Sequence, residues 1–353
     1  MAYTTIDDPS AHFQATTYSG TGSTASVTND GNSDLQPDWV WIKARNATRD
    51  HRLMDSTRGV QKELVSNSTA TEYTESTGFT AFQSDGFQHG GANGYGASGE
   101  NYVAWQWKAN GGTTTTNDAS ATGVGDQDSV YQANTTAGFS IVTYTGTGSD
   151  NEDYAHGLGA SPELIIIKAR DASTGWSVNH ISKGMTSGYL QLQADSAFAS
   201  ASNNVKAVSS TTFRLGVDSW VNGNGVDFVG YFFKSIQGYS KFGSYVGNAN
   251  ADGPFIYTGF KPAWVMTKNT SNAGGWAIMD SGRSPFNVMN EYLIANTADT
   301  ESSGQDFDID SLSNGFKVRY TNGNYNANGD TIIYIAFAEH PFVSSKGVPV
   351  TAR

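Results

Sequence analysis

The chain contains no cysteine. Disulfide staples and thiolate chemistry are thereby excluded. Long apolar runs are also missing, and no stretch approaches the ~20 residues that a bilayer-spanning helix needs. Basic charge is scarce: 21 Lys and Arg stand against 33 Asp and Glu, for a net charge of −12 and a pI near 4.8. No Lys/Arg cluster breaks this pattern. Nucleic-acid binders need a concentrated basic footprint, and anionic membrane surfaces attract the same feature. The composition argues against both partners. Met1 to Asp8 contain neither a basic nor an apolar region. The expectation is a chain without a signal peptide, made in a cytoplasm.

What is present is glycine, 40 residues of it, with abundant Ser, Thr and Asn. Aromatics reach 12% although hydrophobic residues total only 37%. Each buried aromatic covers about 150–250 Å², so a few per domain can carry a core. Charged residues make up 15%, which leaves a surface of small polar side chains.

One stretch occurs three times. Pro37-Asp-Trp-Val-Trp-Ile-Lys43, Pro162-Glu-Leu-Ile-Ile-Ile-Lys168 and Pro262-Ala-Trp-Val-Met-Thr-Lys268 share Pro, an apolar run and Lys six positions on. Tyr18, Tyr144 and Tyr245, each with Gly two residues later, precede these prolines. Twelve residues after the lysines come Asp55, His180 and Asp280, and three further on a cation, Arg58, Lys183 or Arg283. Eight residues after them are His51, Trp176 and Trp276. Phe87, Phe213 and Phe316 follow, and each copy closes on an aromatic run beginning at Tyr102, Phe228 and Tyr334. The last two lysines are 100 residues apart (268 − 168). That is the size of a domain, not of a solenoid repeat.

Short runs rich in Val, Ile, Tyr, Phe and Trp, bounded by Gly, Asn, Asp and Ser, read as strands joined by turns. Ile141-Val-Thr-Tyr144 and Phe316-Lys-Val-Arg-Tyr320 alternate as half-buried strands do. Leu164 to Ile167 are all apolar, which predicts a strand covered on both faces. The fold class expected is all-β, with three tandem copies of an antiparallel β-sandwich or jelly-roll-like domain. The expected layout is an arm at 1–11, repeats at 12–109, 138–237 and 238–342, and a tail arm at 343–353. Residues 110–137, rich in Gly, Thr and Asn, read as a flexible linker. This makes the first repeat the articulated end and the other two a rigid pair.

Candidate sites divide into two groups. Lys43, Asp55 and Arg58, with Lys268, Asp280 and Arg283 and the second-copy Lys183, read as ion pairs serving the repeated fold. The second group is a loop before each closing run. It carries Asn93 and Tyr95, then Trp220, Asn222 and Asn224, then Asn324 and Tyr325. Amides beside an aromatic suit a host-surface glycan, and Asn-Gly also makes hairpin turns, the favoured reading. Asp306-Phe-Asp308-Ile-Asp310 sets three carboxylates on one strand face but has Ser311 and Lys317 where an EF-hand needs Gly and Glu. Asp150 to Asp153 reads as a solvated turn. No metal or cofactor is expected. No H-E-x-x-H or G-x-S-x-G motif is present, and the expectation is a protein that is not an enzyme.

Pro37 to Arg45, Asp55-Ser-Thr-Arg-Gly59, Ser84-Asp-Gly-Phe87 and Tyr102-Val-Ala-Trp105 resemble a family of virion-associated proteins of tailed bacteriophages, frequent in marine and cyanobacterial phages. Gly138 to Gly148, His156-Gly-Leu-Gly159 and Pro162 to Arg170 resemble the unit that follows in that family. The third copy matches more loosely: Lys268 lacks the Ala-Arg that follows Lys43 and Lys168. The resemblance implies a virion location, other virion proteins as partners and no catalytic residues. The leading expectation is a tail fibre or appendage, a homo-oligomer with a trimer favoured, contacting the host. The alternatives are a capsid decoration, head knob or connector, and third, a glycan-degrading tail spike.

Overall fold

A computed structural model of the chain describes residues 2–304, 307–321 and 323–350. The chain is all-β. Its sheets are antiparallel, and among the described residues the two α-helices, Ala119–Thr122 and Ser219–Asn222, are single turns capped by Asp118 and Asp218.

Each repeat sets a large sheet against a small one. The large sheet is built on the Pro-led strand: Trp39–Ala44, Leu164–Ala169 or Phe260–Asn269. Beside it runs the closing strand, Asn101–Trp107, Asp227–Phe233 or Thr331–Pro341. Outside that is the lead strand, Phe13–Ser19, Phe139–Thr145 or Ser240–Val246. Three shorter strands extend the other side, the first being Arg52–Asp55, Ser177–His180 or Ala277–Asp280. The small sheet has three strands, with Phe87, Phe213 and Phe316 on the central one.

Register fixes the equivalences. Trp39 pairs with Trp107, Leu164 with Phe233, and Trp264 with Phe337. Matching Tyr334 to Tyr102 is therefore off by two residues, because Ile332 takes that place, opposite Asn269. A two-residue slip preserves which face each side chain points to, so hydropathy alone does not reveal it. Pro262 lies inside its strand at a break in register, where the missing N–H is tolerated.

Alternation along the Pro-led strand feeds two cores. Trp39, Trp41, Leu164, Ile166, Trp264 and Met266 enter one cluster shared by all three repeats. Val40 and Ile42, Ile165 and Ile167, and Val265 enter the separate sandwich core of their own repeat. Both faces are covered, as the apolar run predicts. In the shared core Trp39 stacks on Tyr231 at 4.3 Å, Phe233 meets Phe337 at 5.8 Å and Trp107 meets Trp264 at 5.7 Å. Every pair of repeats is thus joined by ring contacts. The three large sheets close around one centre.

The stretch 110–137 is not a loose tether. Thr115–Asn117 and Ser129–Asn134 add two strands outside the second lead strand. The open edge of a sheet needs its N–H and C=O groups covered, and here the chain covers them itself. Asp38 pins the start of the stretch, its carboxylate accepting from Ala109, Gly111 and Gly112 at 2.7–2.8 Å. The first repeat is therefore not an articulated end. The N-terminal arm is packed too: Ile6 is buried in the shared core, and the Tyr3 hydroxyl donates to the Gly259 carbonyl at 2.8 Å.

Candidate functional site

The repeated polar side chains converge on the three junctions between repeats. Lys43, Lys168 and Lys268 are fully buried. Each ammonium donates at 2.8 Å to the next residue's carbonyl, Ala44, Ala169 or Asn269. Each also reaches the preceding repeat in a cyclic order: Lys43 to Ala298 at 3.3 Å, Lys168 to Thr69 at 3.4 Å and Lys268 to Asp195 at 3.0 Å. Burial pushes all three down to about 8. Their partners are carbonyls, so the expected pairing of lysine with Asp55 or Asp280 does not occur. The reason is geometric: the lysine head leaves its own sheet toward the neighbouring repeat.

The position eight residues later makes the same step. Trp176 Nε1 donates to Val65 O at 2.9 Å and Trp276 Nε1 to Gln191 O at 2.8 Å. His51 Nε2 lies 3.1 Å from Ile294 O. Its Nδ1 accepts from Trp41 Nε1 at 2.8 Å, so Nε2 carries the proton. Burial holds His51 well below the usual histidine range.

Asp55, His180 and Asp280 reach the other way round the ring. Asp55 accepts from the Tyr231 hydroxyl at 2.8 Å, and Asp280 from Trp105 Nε1 at 2.9 Å. Each carboxylate also holds the cation three residues on, Arg58 or Arg283, with both partners fully buried. Those ion pairs are as expected. Arg58 bonds Glu72 at 3.0 Å, and Glu72 bonds Arg170 of the second repeat. Arg283 bonds Glu301 at 3.0 Å, and Glu301 bonds Arg45 of the first. Burial alone would lower Arg58, but Asp55, Tyr231 and Glu72 outweigh it and hold the guanidinium more basic than usual.

The second–third junction is built differently. His180 takes the aspartate's place and its Nε2 lies 3.2 Å from Tyr334 O, while Nδ1 accepts from Ser182 N. Burial lowers His180 to about 4, so the ring is neutral. Lys183 is not in an ion pair of the expected kind: it sits 4.8 Å over the Phe198 ring. Phe198 stands where the other junctions have Glu72 and Glu301. Its N–H donates to Thr270 O, just as Glu72 N donates to Arg170 O and Glu301 N to Arg45 O.

The loop candidates are mostly struts. Tyr95, Asn222 and Tyr325 are buried. The repeated tyrosines anchor these loops: Tyr18 donates to Tyr95 O at 2.7 Å, Tyr144 to Val221 O at 2.7 Å and Tyr245 to Tyr325 O at 2.8 Å. Asn222 accepts from Thr147 N and donates to Ser149 O and Gly216 O. Tyr325 donates to Gly275 O. Asn93, Asn224 and Asn324 are exposed, and Trp220 is half-buried. Trp220 packs against Tyr189 at 5.6 Å and over Gly175, where a Cβ would come within 2.4 Å of its ring. An aromatic with amides around it is thus not a shared surface of the three loops.

Among the described residues, no three His, Asp or Glu side chains are placed to hold a metal. Asp306 lies outside the described residues, and Asp310 pairs with Arg319 at 3.3 Å. In the 150–153 turn, Asp150 pairs with Lys206 and Asp153 with Arg214.

Sequence reading missed Glu72 and Glu301, and missed that Arg45 and Arg170 act across junctions. The Lys-Ala-Arg of copies one and two, absent in copy three, was the available signal. No curated protein and no solved structure matches the chain. Residues 8–341, all three repeats together, match the family described as a domain of unknown function (DUF7483), and the chain belongs to that family.

Proposed function

We propose that the chain is a structural protein of a tailed-bacteriophage particle, exposed on its surface in a tail fibre or other appendage that meets the host envelope. It assembles there with other virion proteins and in several copies. The observation that carries this reading is the closure of three sandwiches into one ring. Its repeated polar residues are consumed in the buried junctions between repeats. Such a body suits mechanical exposure outside a cell. The likeness of the first two repeats to virion-associated proteins points the same way. Copies joined through other proteins would multiply weak surface affinities by effective concentration.

Immunogold labelling of particles of the phage that encodes the chain tests this. Label at a fixed position on the tail is the expected result. Label confined to the head would replace the appendage by a decoration role, and protein found only in the lysate, never on particles, would overturn the reading.

A further inference from the structure

The three small sheets offer an internal comparison. One edge strand of each is Ala25–Val27, Glu152–Ala155 or Phe255–Tyr257. Val27, Tyr154 and Ile256 face the three equivalent phenylalanines and are buried. The residue before each therefore points outward. It is Ser26 in the first copy, opposite Gln88, and Asp153 in the second, ion-paired to Arg214. In the third it is Phe255, 47% exposed. One position after the buried residue the second copy has Ala155, and the third has Tyr257, 52% exposed. Only the third copy turns an aromatic pair to solvent here.

The two rings share one face of a strand, two residues and so about 6.6 Å apart. Beside them on the next strand, Phe255 is opposite Lys317 and Tyr257 is opposite Gly315, which has no side chain to cover the rings. The rim is polar and neutral. Lys317 pairs with Asp252 at 2.6 Å, and Arg319 with Asp310 at 3.3 Å. The Tyr257 hydroxyl lies 3.0 Å from that of Tyr3. Flat apolar rings beside the Tyr3 and Tyr257 hydroxyls and paired charges match a pyranose chain, which offers an apolar face and a belt of hydroxyls.

We infer that the outer face of the third small sheet, centred on Phe255 and Tyr257, binds a neutral glycan. Area decides against a protein partner. Two half-exposed aromatics offer roughly 150–250 Å² in all, far below the ~800 Å² per side of a stable interface. The rim cations Lys317 and Arg319 are each paired with an aspartate, which decides against an anionic polymer. The inference deepens the appendage reading and rests on it only for whose glycan is bound, since binding by the pure protein does not depend on where the chain sits in a particle.

The test is saturation-transfer NMR on the intact chain with maltohexaose, cellohexaose and chitohexaose. Phe255→Ser with Tyr257→Ala installs the side chains of the other copies at exposed positions, and an unchanged unfolding midpoint verifies the fold. At least one probe should bind the wild type and lose about tenfold or more in affinity in this variant, with Trp220→Ala unchanged. Three results would overturn the proposal: no transfer to any probe at millimolar concentration, loss only in Trp220→Ala, or a wild-type dimer in sedimentation that the double variant dissolves.

Discussion

At the first–second junction Arg170, Glu72, Arg58, Asp55 and Tyr231 form a continuous chain of charges and hydrogen bonds that runs from a half-buried end at Arg170 to a fully buried one at Tyr231. At the second–third junction the same positions hold Thr270, Phe198, Lys183, His180 and Ile335, and no carboxylate remains in the chain. The backbone contact is kept in both, Glu72 N to Arg170 O and Phe198 N to Thr270 O. The frame therefore does not depend on the ion pairs. The contrast shows that the charges come as a set. A buried charge is tolerable only when paired and hydrogen-bonded, so losing the glutamate goes with losing the arginine it held. With Ile335 in place of a tyrosine, His180 turns to the backbone carbonyl of Tyr334 instead.

The comparison can be broken most sharply at Asp55. Asp55→Ala leaves the Arg58 guanidinium buried beside Tyr231 without its main partner, and should cost about 3–5 kcal/mol, read as a lower urea midpoint at unchanged slope. Asp280→Ala should match it at the third–first junction. A cost below that of a neutral hydrogen bond at either site would contradict the charged-set account.

Next in size is the indole bridge that charged and neutral junctions share. Trp176→Phe keeps the ring packing but removes the indole donor to Val65 O, and Trp276→Phe removes the one to Gln191 O, which keeps the Ala194 N–H at 3.3 Å. Each should lose about 1–3 kcal/mol in the same titration. Equal losses would show that this bridge is indifferent to the charges around it.

Acid should reach the neutral junction through His180, as it reaches the third–first junction through His51. His180 is held at about 4 against an ordinary 6.5, so the unfolded chain takes up its proton first on acidification. Stability from this group is present above pH 6.5 and is lost as pH falls toward 4. His156, also lowered to about 4 by burial, adds its own slope within the second repeat. The readout is therefore the difference between wild type and His180→Gln, which should unfold with a shallower pH dependence across that window. Parallel curves would show that His180 is not buried neutral.

A smaller effect tests transplantation. Phe198→Glu alone should destabilise the second–third junction, and adding Thr270→Arg should recover part of the loss. A coupling of about 0.5–3 kcal/mol in the double-mutant cycle is expected. Zero coupling would mean that the two positions do not face each other as their charged equivalents do. At the bottom of the scale, Lys206→Ala breaks only an exposed pair with Asp150 and should stay within about 0.5 kcal/mol.

Much of the repeat was legible because its landmarks are fixed by burial. The apolar run at Leu164 predicted a two-faced strand, and the ring has one core on each side of it. Asp55 and Arg58 form the ion pair expected of them, whereas Lys43 bonds carbonyls instead. Their partners across the junctions were not legible, since a position repeated in each copy looks the same whether it contacts its own repeat or the next. Tyr231, Trp105 and Glu72 become visible only once the ring is closed. Tyr95 and Tyr325 looked like surface aromatics because glycine-rich loops usually are; here the loops fold back under the hydroxyls of Tyr18 and Tyr245. The stretch at 110–137 has a linker's composition, and it forms strands because the second lead strand leaves an edge to cover.

The central claim is that the three repeats are one closed body rather than a mobile unit joined to a rigid pair. Differential scanning calorimetry of the intact chain tests it most directly. A single transition whose calorimetric and van't Hoff enthalpies agree is the predicted result, moved as a whole by Asp55→Ala. A separate earlier transition for the first repeat, shifted alone by that substitution, would contradict it.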